Sequence, residues 1–154
     1  MRMSGILLIG LTTALSTATA SAETYHGVLC NASGNDVVEI GRNRIGAFND
    51  STTALKRVHC GGATSGAILA ASANVYDRSV TDDVDCIFYI TNASGNAIFS
   101  SQRSTTGFAA ASMPLNFGSI PSVAGAAVLQ CVLPADNAQN GVSYVANYTI
   151  VDSQ

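Results

Sequence analysis

The residues able to do chemistry in this sequence are few: four cysteines, two histidines and one close group of aspartates. Cys30, Cys60, Cys86 and Cys131 could serve as nucleophiles, zinc ligands or disulfide halves. No Cys-x-x-Cys or His-x-x-x-His spacing accompanies them, which disfavours a structural zinc. An even number of cysteines behind an export signal reads instead as two disulfides. The expected pairing is Cys30 with Cys60 and Cys86 with Cys131, because nested or crossed pairings would join the two halves of the chain where the local strand pattern does not call for it. His26 and His59 have no third orienting group at a recognisable spacing, and no Gly-x-Ser-x-Gly elbow is present. No catalytic residue is therefore assigned, and both histidines are expected on strand surfaces. Asp77, Asp82, Asp83 and Asp85 place four carboxylates within nine residues. They are the candidate for calcium, a cation that takes oxygen ligands, but the spacing fits no EF-hand loop. The preferred reading is a solvated acidic turn with no cofactor bound.

The elements that must position these groups begin after the leader. Met1, Arg2 and Met3 give a short positive start, residues 5–15 give an apolar run, and Ala20-Ser21-Ala22 puts alanine at both positions that a signal peptidase reads. The expectation is a cleaved signal peptide over 1–22 and one domain over 23–154. The apolar run is well short of the roughly 20 residues that span a bilayer, so no membrane span is expected after cleavage. The seven basic residues fall to six when Arg2 leaves with the leader, against ten acidic ones. Those six are scattered, with no run and no interleaved aromatics, which disfavours nucleic acid. A secreted or periplasmic address follows from the leader and the cysteines.

Beyond residue 22 no helix-period apolar stripe is present, whereas short alternating runs separated by Gly, Asn, Asp, Ser and Pro recur. Strands are expected over 24–30, 36–42, 55–60, 67–77, 84–91, 97–104, 113–117, 126–133 and 142–151. Val84, Cys86, Phe88 and Ile90 should share one face. Leu129, Cys131 and Leu133 should do the same, pointing Cys131 toward Cys86 across two packed sheets. In the last strand, Val142, Tyr144, Ala146, Tyr148 and Ile150 should lie together, opposite Ser143, Asn147 and Thr149. The pattern predicts an all-β antiparallel sandwich of immunoglobulin-like or jelly-roll type with two disulfides. The pentapeptide Asn-Ala-Ser-Gly-Asn occurs at 31–35 and again at 92–96, and is expected to make two hairpin turns. Four Asn-x-Ser/Thr sequons, at Asn31, Asn49, Asn92 and Asn147, are attributed to composition rather than to glycans. With no Trp, and with all five Tyr inside strands, no carbohydrate platform is legible.

The series 46–49 (GAFN), Val58-His59-Cys60, Val75-Tyr76-Asp77-Arg78, Val84-Asp85-Cys86, Leu115-Asn116-Phe117, 129–134 (LQCVLP) and Tyr148-Thr149-Ile150 resembles a pattern found in small exported bacterial β-sandwich proteins with paired cysteines. That group has no established activity, so the resemblance implies a fold and an address only. The alternating segment after Gly141 is also similar to the terminal strand of chaperone-usher pilus subunits, departing from it at Ser153, where those subunits usually carry Tyr. Two function classes follow. One is an exported, non-catalytic binding or surface module working through loops. The other is a structural subunit of a filament or surface layer, self-associating by strand addition.

Overall fold

The computed structural model of the chain describes residues 19–34, 36, 39–136 and 139–154. The expected leader over 1–18 lies outside them. Eleven strands are present among the described residues: β1 Ala20–His26, β2 Asn31–Ala32, β3 Ile40–Asn43, β4 Gly46–Asn49, β5 Lys56–Gly62, β6 Ile68–Tyr76, β7 Asp85–Thr91, β8 Ala97–Ser104, β9 Met113–Val123, β10 Ala126–Leu133 and β11 Tyr144–Ser153. A 3-10 turn, Gly27–Leu29, joins β1 to β2. No helix among the described residues is long and apolar enough to cross a membrane.

The strands form two antiparallel sheets. The six-stranded sheet runs β3-β4-β11-β6-β9, with β1 also paired to β11, and the five-stranded sheet runs β2-β5-β10-β7-β8. From β4 onward the order β4-β11-β6-β9 faces β5-β10-β7-β8, which is the eight-stranded double Greek key of a jelly roll. Of the two sandwich types the sequence left open, the connectivity selects this one. The inward set in β7 and β10 is the one the alternation predicted: Val84, Cys86, Phe88, Ile90, Leu129, Cys131 and Leu133 are all buried. They pack against Ile68, Val75, Phe117, Val145 and Ile150 of the other sheet.

Both disulfides have the expected partners, Cys30 with Cys60 and Cys86 with Cys131, each with a Cα separation of 4.1 Å. Their placement differs from expectation. Cys86 and Cys131 are direct neighbours on β7 and β10 within one sheet, not partners across the sandwich. Cys30 precedes β2, whose Asn31 is opposite His59 on β5, so this bond also joins adjacent strands of the five-stranded sheet. One lateral side of the sandwich is closed by side chains. On β8, Ser101 Oγ donates to the Phe117 carbonyl at 3.0 Å and Arg103 Nε to that of Asn116 at 2.9 Å, both on β9.

Three local expectations are corrected. The 36–42 strand gives way to the shorter β3, and Asp36 instead accepts the backbone N–H of Arg57 and the Lys56 ammonium. The first Asn-Ala-Ser-Gly copy is not a hairpin at its start, since Asn31 and Ala32 pair as strand with His59 and Val58. The second copy is a hairpin, because Asn92 Oδ1 accepts from both Ser94 N and Asn96 N, and Gly95 sits at φ 80°. The C-terminal strand, likened to the terminal strand of pilus subunits that assemble by strand addition at an open sheet edge, lies inside the sheet. β11 is flanked by β6 on one side and by β4 and β1 on the other.

β1 begins at Ala20, so Ala20, Ser21 and Ala22 are paired with Ser153, Asp152 and Val151. Further along β1, the Tyr25 ring stacks on Tyr148 at 5.2 Å, and its hydroxyl reaches the Glu23 carboxylate and the Ala63 carbonyl. Burial, and next the Glu23 carboxylate, push the Tyr25 phenol up to about 12. The folded value lies above the ordinary 10.0, so the stabilisation is complete below pH 10 and is lost as pH rises toward 12. Ultraviolet titration should therefore find one phenol ionising near 12, with Glu23→Gln lowering that midpoint. A Tyr25 that titrates near 10 would remove the Glu23 contact from the account.

Candidate functional site

A strand carries its side chains alternately up and down, so alternation places Tyr144 on the same face as Tyr148 and Ile150. The structure inverts this. A register shift between Val145 and Asn147 inserts a bulge into β11, opposite β6. Val145 becomes fully buried and Tyr144 turns to the outer face, while Tyr148 and Ile150 keep the core face. Bulges commonly re-aim a side chain in this way. Two glycines hold this one. A Cβ on Gly27 or on Gly46 would come within 1.9 Å of the Val145 carbonyl oxygen, so the chain approaches the bulge at these positions more closely than any side chain permits.

The inversion assembles an aromatic row on the outer face of the six-stranded sheet. Tyr144 is opposite Phe48 on β4 and opposite Tyr76 on β6. The Tyr76 and Tyr144 rings stack with centroids 4.4 Å apart and planes 13° from parallel. Burial pushes the Tyr144 phenol up, the adjacent Tyr76 adds to the rise, and Arg78 opposes it. Past the end of β6, the Arg78 guanidinium carbon lies 5.6 Å from the Tyr76 centroid and 5.8 Å from that of Phe108. Phe108 is 42% exposed. Behind the rings the outer face continues as a polar ladder. Asn74 Nδ2 donates to Asn147 Oδ1 at 2.8 Å, and the hydroxyls of Thr149 and Thr24 meet at 2.9 Å.

A buried polar hub positions the loops that carry Arg78 and Phe108. Asp77 is fully buried; its carboxylate accepts from Ser79 N at 3.0 Å, Val84 N at 3.1 Å and Ser143 Oγ at 3.5 Å, and also from Thr105 Oγ1. Ser143 Oγ accepts from Arg78 N at 2.8 Å, and the Asp77 carbonyl accepts from Ala109 N at 2.9 Å. Residues from three connections are thereby fastened to one carboxylate, beside the aromatic row.

The aspartates expected as a group have separate partners. Asp82 accepts from Thr81 Oγ1, Asp83 from Gly107 N at 2.6 Å and Asp85 from Ser104 Oγ. Among the described residues, no three His, Cys, Asp or Glu side chains form a group that could hold a metal ion. The histidines are also apart. His26 Nδ1 accepts from Val28 N at the 3-10 turn, while His59 pairs with Gln130 across β5 and β10. Of the sequons, Asn49 is fully buried, its amide donating to the carbonyls of Ala54, Leu133 and Pro134. Sequence reasoning named Asp77 and the strands of Tyr76 and Tyr144 but missed the row they build. Its only signals were Tyr76-Asp77-Arg78 and a glycine at position 46.

No protein-family model matches the sequence, and no curated protein matches it. Solved structures do resemble the fold. The CBM36-1 domain of a multidomain xylanase from the hindgut metagenome of Trinervitermes trinervoides aligns with a TM-score of 0.53 at 10% identity, over 84% of this chain and 96% of that domain. A family 35 carbohydrate binding module from Clostridium thermocellum aligns with a TM-score of 0.42 at 12% identity, over 88% and 98%. The Podospora anserina GH26-CBM35 β-(1,4)-mannanase aligns with a TM-score of 0.43 at 10% identity, over 86% of this chain and 28% of the enzyme. At these identities the likeness concerns the sandwich fold alone.

Proposed function

We propose that the protein is an exported, non-catalytic glycan-binding module, whose binding face is the outer surface of the six-stranded sheet. The observation that carries this reading is the stacked Tyr76 and Tyr144 pair beside Arg78 and Phe108, continued by the Asn74 and Asn147 ladder. Each stacked ring covers the inner face of the other. A sugar ring needs such a surface, with apolar carbon for its C–H faces and amide and hydroxyl groups for its own hydroxyls. The fold shared with the CBM36-1 domain adds support, since its name marks a carbohydrate-binding module on the same scaffold. Two disulfides fit an extracellular or periplasmic address, and cleavage of a leader over 1–22 would deliver the domain there.

Affinity electrophoresis of the purified, oxidised protein through gels containing plant and bacterial polysaccharides tests the reading. At least one polysaccharide should retard the protein. Tyr144→Ala and Tyr76→Ala should each weaken that retardation about tenfold or more, as expected for aromatic anchors. His59→Ala, on the opposite sheet, should leave it unchanged. Free migration of the wild-type protein through every gel would end the proposal. The filament reading gains nothing from β11, which is paired along both flanks. A discrete monomer in light scattering would set it aside.

A further inference from the structure

Within the glycan-binding reading, on which this inference rests, we infer that Phe48 is a further anchoring ring, which takes the C–H face of a pyranose, and that Gly41 positions it. Phe48 on β4 is opposite Gly41 of β3 on one side and Tyr144 of β11 on the other. Its ring reaches toward the glycine. A Cβ on Gly41 would come within 2.1 Å of Phe48 Cζ, 2.3 Å of Cε2 and 2.8 Å of Cε1. Three adjacent ring carbons at such similar distances put that Cβ against the face of the ring and not beyond its rim. The ring therefore lies along the sheet over β3, with one face on the Gly41 backbone and the other turned outward, and Phe48 is partly exposed.

A glycine inside a strand weakens it, and Gly41 has no positive φ that would call for one. What the position requires is the missing side chain, which lets the ring lie flat. The tyrosines are set differently. Tyr76 and Tyr144 stack at 4.4 Å from adjacent strands, close to the strand spacing of about 4.8 Å, so their planes stand upright from the sheet. Because the Phe48 ring leans to β3, away from β11, it does not cover the Tyr144 face that is turned to β4. The two rings form a step, with Phe48 as its floor and Tyr144 as its wall. Such a floor takes the C–H face of a sugar ring and leaves the hydroxyls, which radiate from the sugar's rim, to neighbouring polar groups.

An aromatic ring over a strand glycine also supports the sheet, so the test must separate binding from stability. Affinity electrophoresis of the oxidised protein through gels of xylan, mixed-linkage β-glucan, galactomannan and starch does so when paired with thermal melts of each variant. At least one polysaccharide should retard the parent. Phe48→Tyr, which keeps the flat ring, should bind within about twofold of it, whereas Phe48→Leu, apolar but not flat, should bind about tenfold or more weakly. Gly41→Ala should cost a similar factor, because its Cβ meets the movable ring and not backbone. In the Phe48→Leu background the same change should add less than about twofold, since the glycine acts through the ring alone. Gly61→Ala, whose Cβ meets nothing within 4 Å, should leave retardation unchanged. Should Gly41→Ala fail to fold, the two Phe48 variants decide. Full retardation of Phe48→Leu, or of a folded Gly41→Ala, would overturn this inference and leave the glycan-binding reading standing on Tyr76 and Tyr144. Free migration of the parent through these and every other polysaccharide gel would overturn both.

Discussion

Replacing Cys86 and Cys131 together by alanine is expected to lower stability by about 4 kcal/mol, the loop-closure value for a bond spanning 45 residues. A domain of this size has on the order of 5 to 15 kcal/mol in total, so much of the margin disappears. The bond lies at the centre of the five-stranded sheet, joining β7 to β10 in direct register. Both sulfurs are buried among Phe88, Leu129 and Val58, so alanine also leaves unfilled volume. Urea unfolding should show a lower midpoint and a steeper slope, the latter because the unlinked denatured chain exposes more surface. Removing Cys30 and Cys60, which span 30 residues, should cost a similar amount. A loss below about 1 kcal/mol for Cys86 and Cys131 would mean that the denatured chain keeps this strand pair together without the bond.

Asp77→Ala is expected to destabilise by about 3 to 5 kcal/mol, because it removes a fully buried acceptor from several donors at once. Val84 N retains Thr105 Oγ1 at 2.8 Å, whereas Ser79 N loses its side-chain acceptor. Asp77→Asn preserves the shape but turns an amide N–H₂ toward donors, so it should recover only part of the loss. Asp83→Ala, at an exposed site, should stay within about 0.5 kcal/mol of the parent. Thermal melts separate these outcomes, since each kcal/mol moves the midpoint by about 2 to 4 °C in a chain of this length. The hub also sets the loops beside the aromatic row. An Asp77→Asn protein that still folds should therefore bind its glycan more weakly than the parent, although Asp77 is not on the binding face. A melt of Asp77→Ala equal to the parent's would remove the hub from the account.

Most of the fold was legible because the information is local. The two-residue period of β7 and β10 marks Val84, Phe88, Ile90, Leu129 and Leu133 as inward wherever those strands pair. Gly95 with Asn96 announces a hairpin through backbone preferences that act over a few residues. Export chemistry and an even cysteine count imply disulfides, and short sequence separation favours the observed partners. None of these inferences needs to know which strand lies beside which.

The candidate site depends on that knowledge. Tyr144 reads by alternation as sharing a face with Tyr148 and Ile150, and lies on the face opposite to them only because β11 bulges between Val145 and Asn147, where Gly27 and Gly46 approach the Val145 carbonyl. Asp77 reads as one of four acids in a solvated turn; it is buried because Ser143 and Thr105, distant in sequence, arrive to hydrogen-bond it. Alternation likewise aimed Cys86 and Cys131 inward, but only the jelly-roll order made them neighbours in one sheet. The sequence by itself thus determined most of the strands, the buried faces of β7 and β10 and the covalent links, since each depends on side-chain period or residue type. The tertiary structure decided the aromatic row, the buried carboxylate and the place of Arg78 beside Tyr76 and Phe108. Those arise from contacts between segments far apart in the chain, where the pairing energy of whole strands outweighs the preference of any single residue.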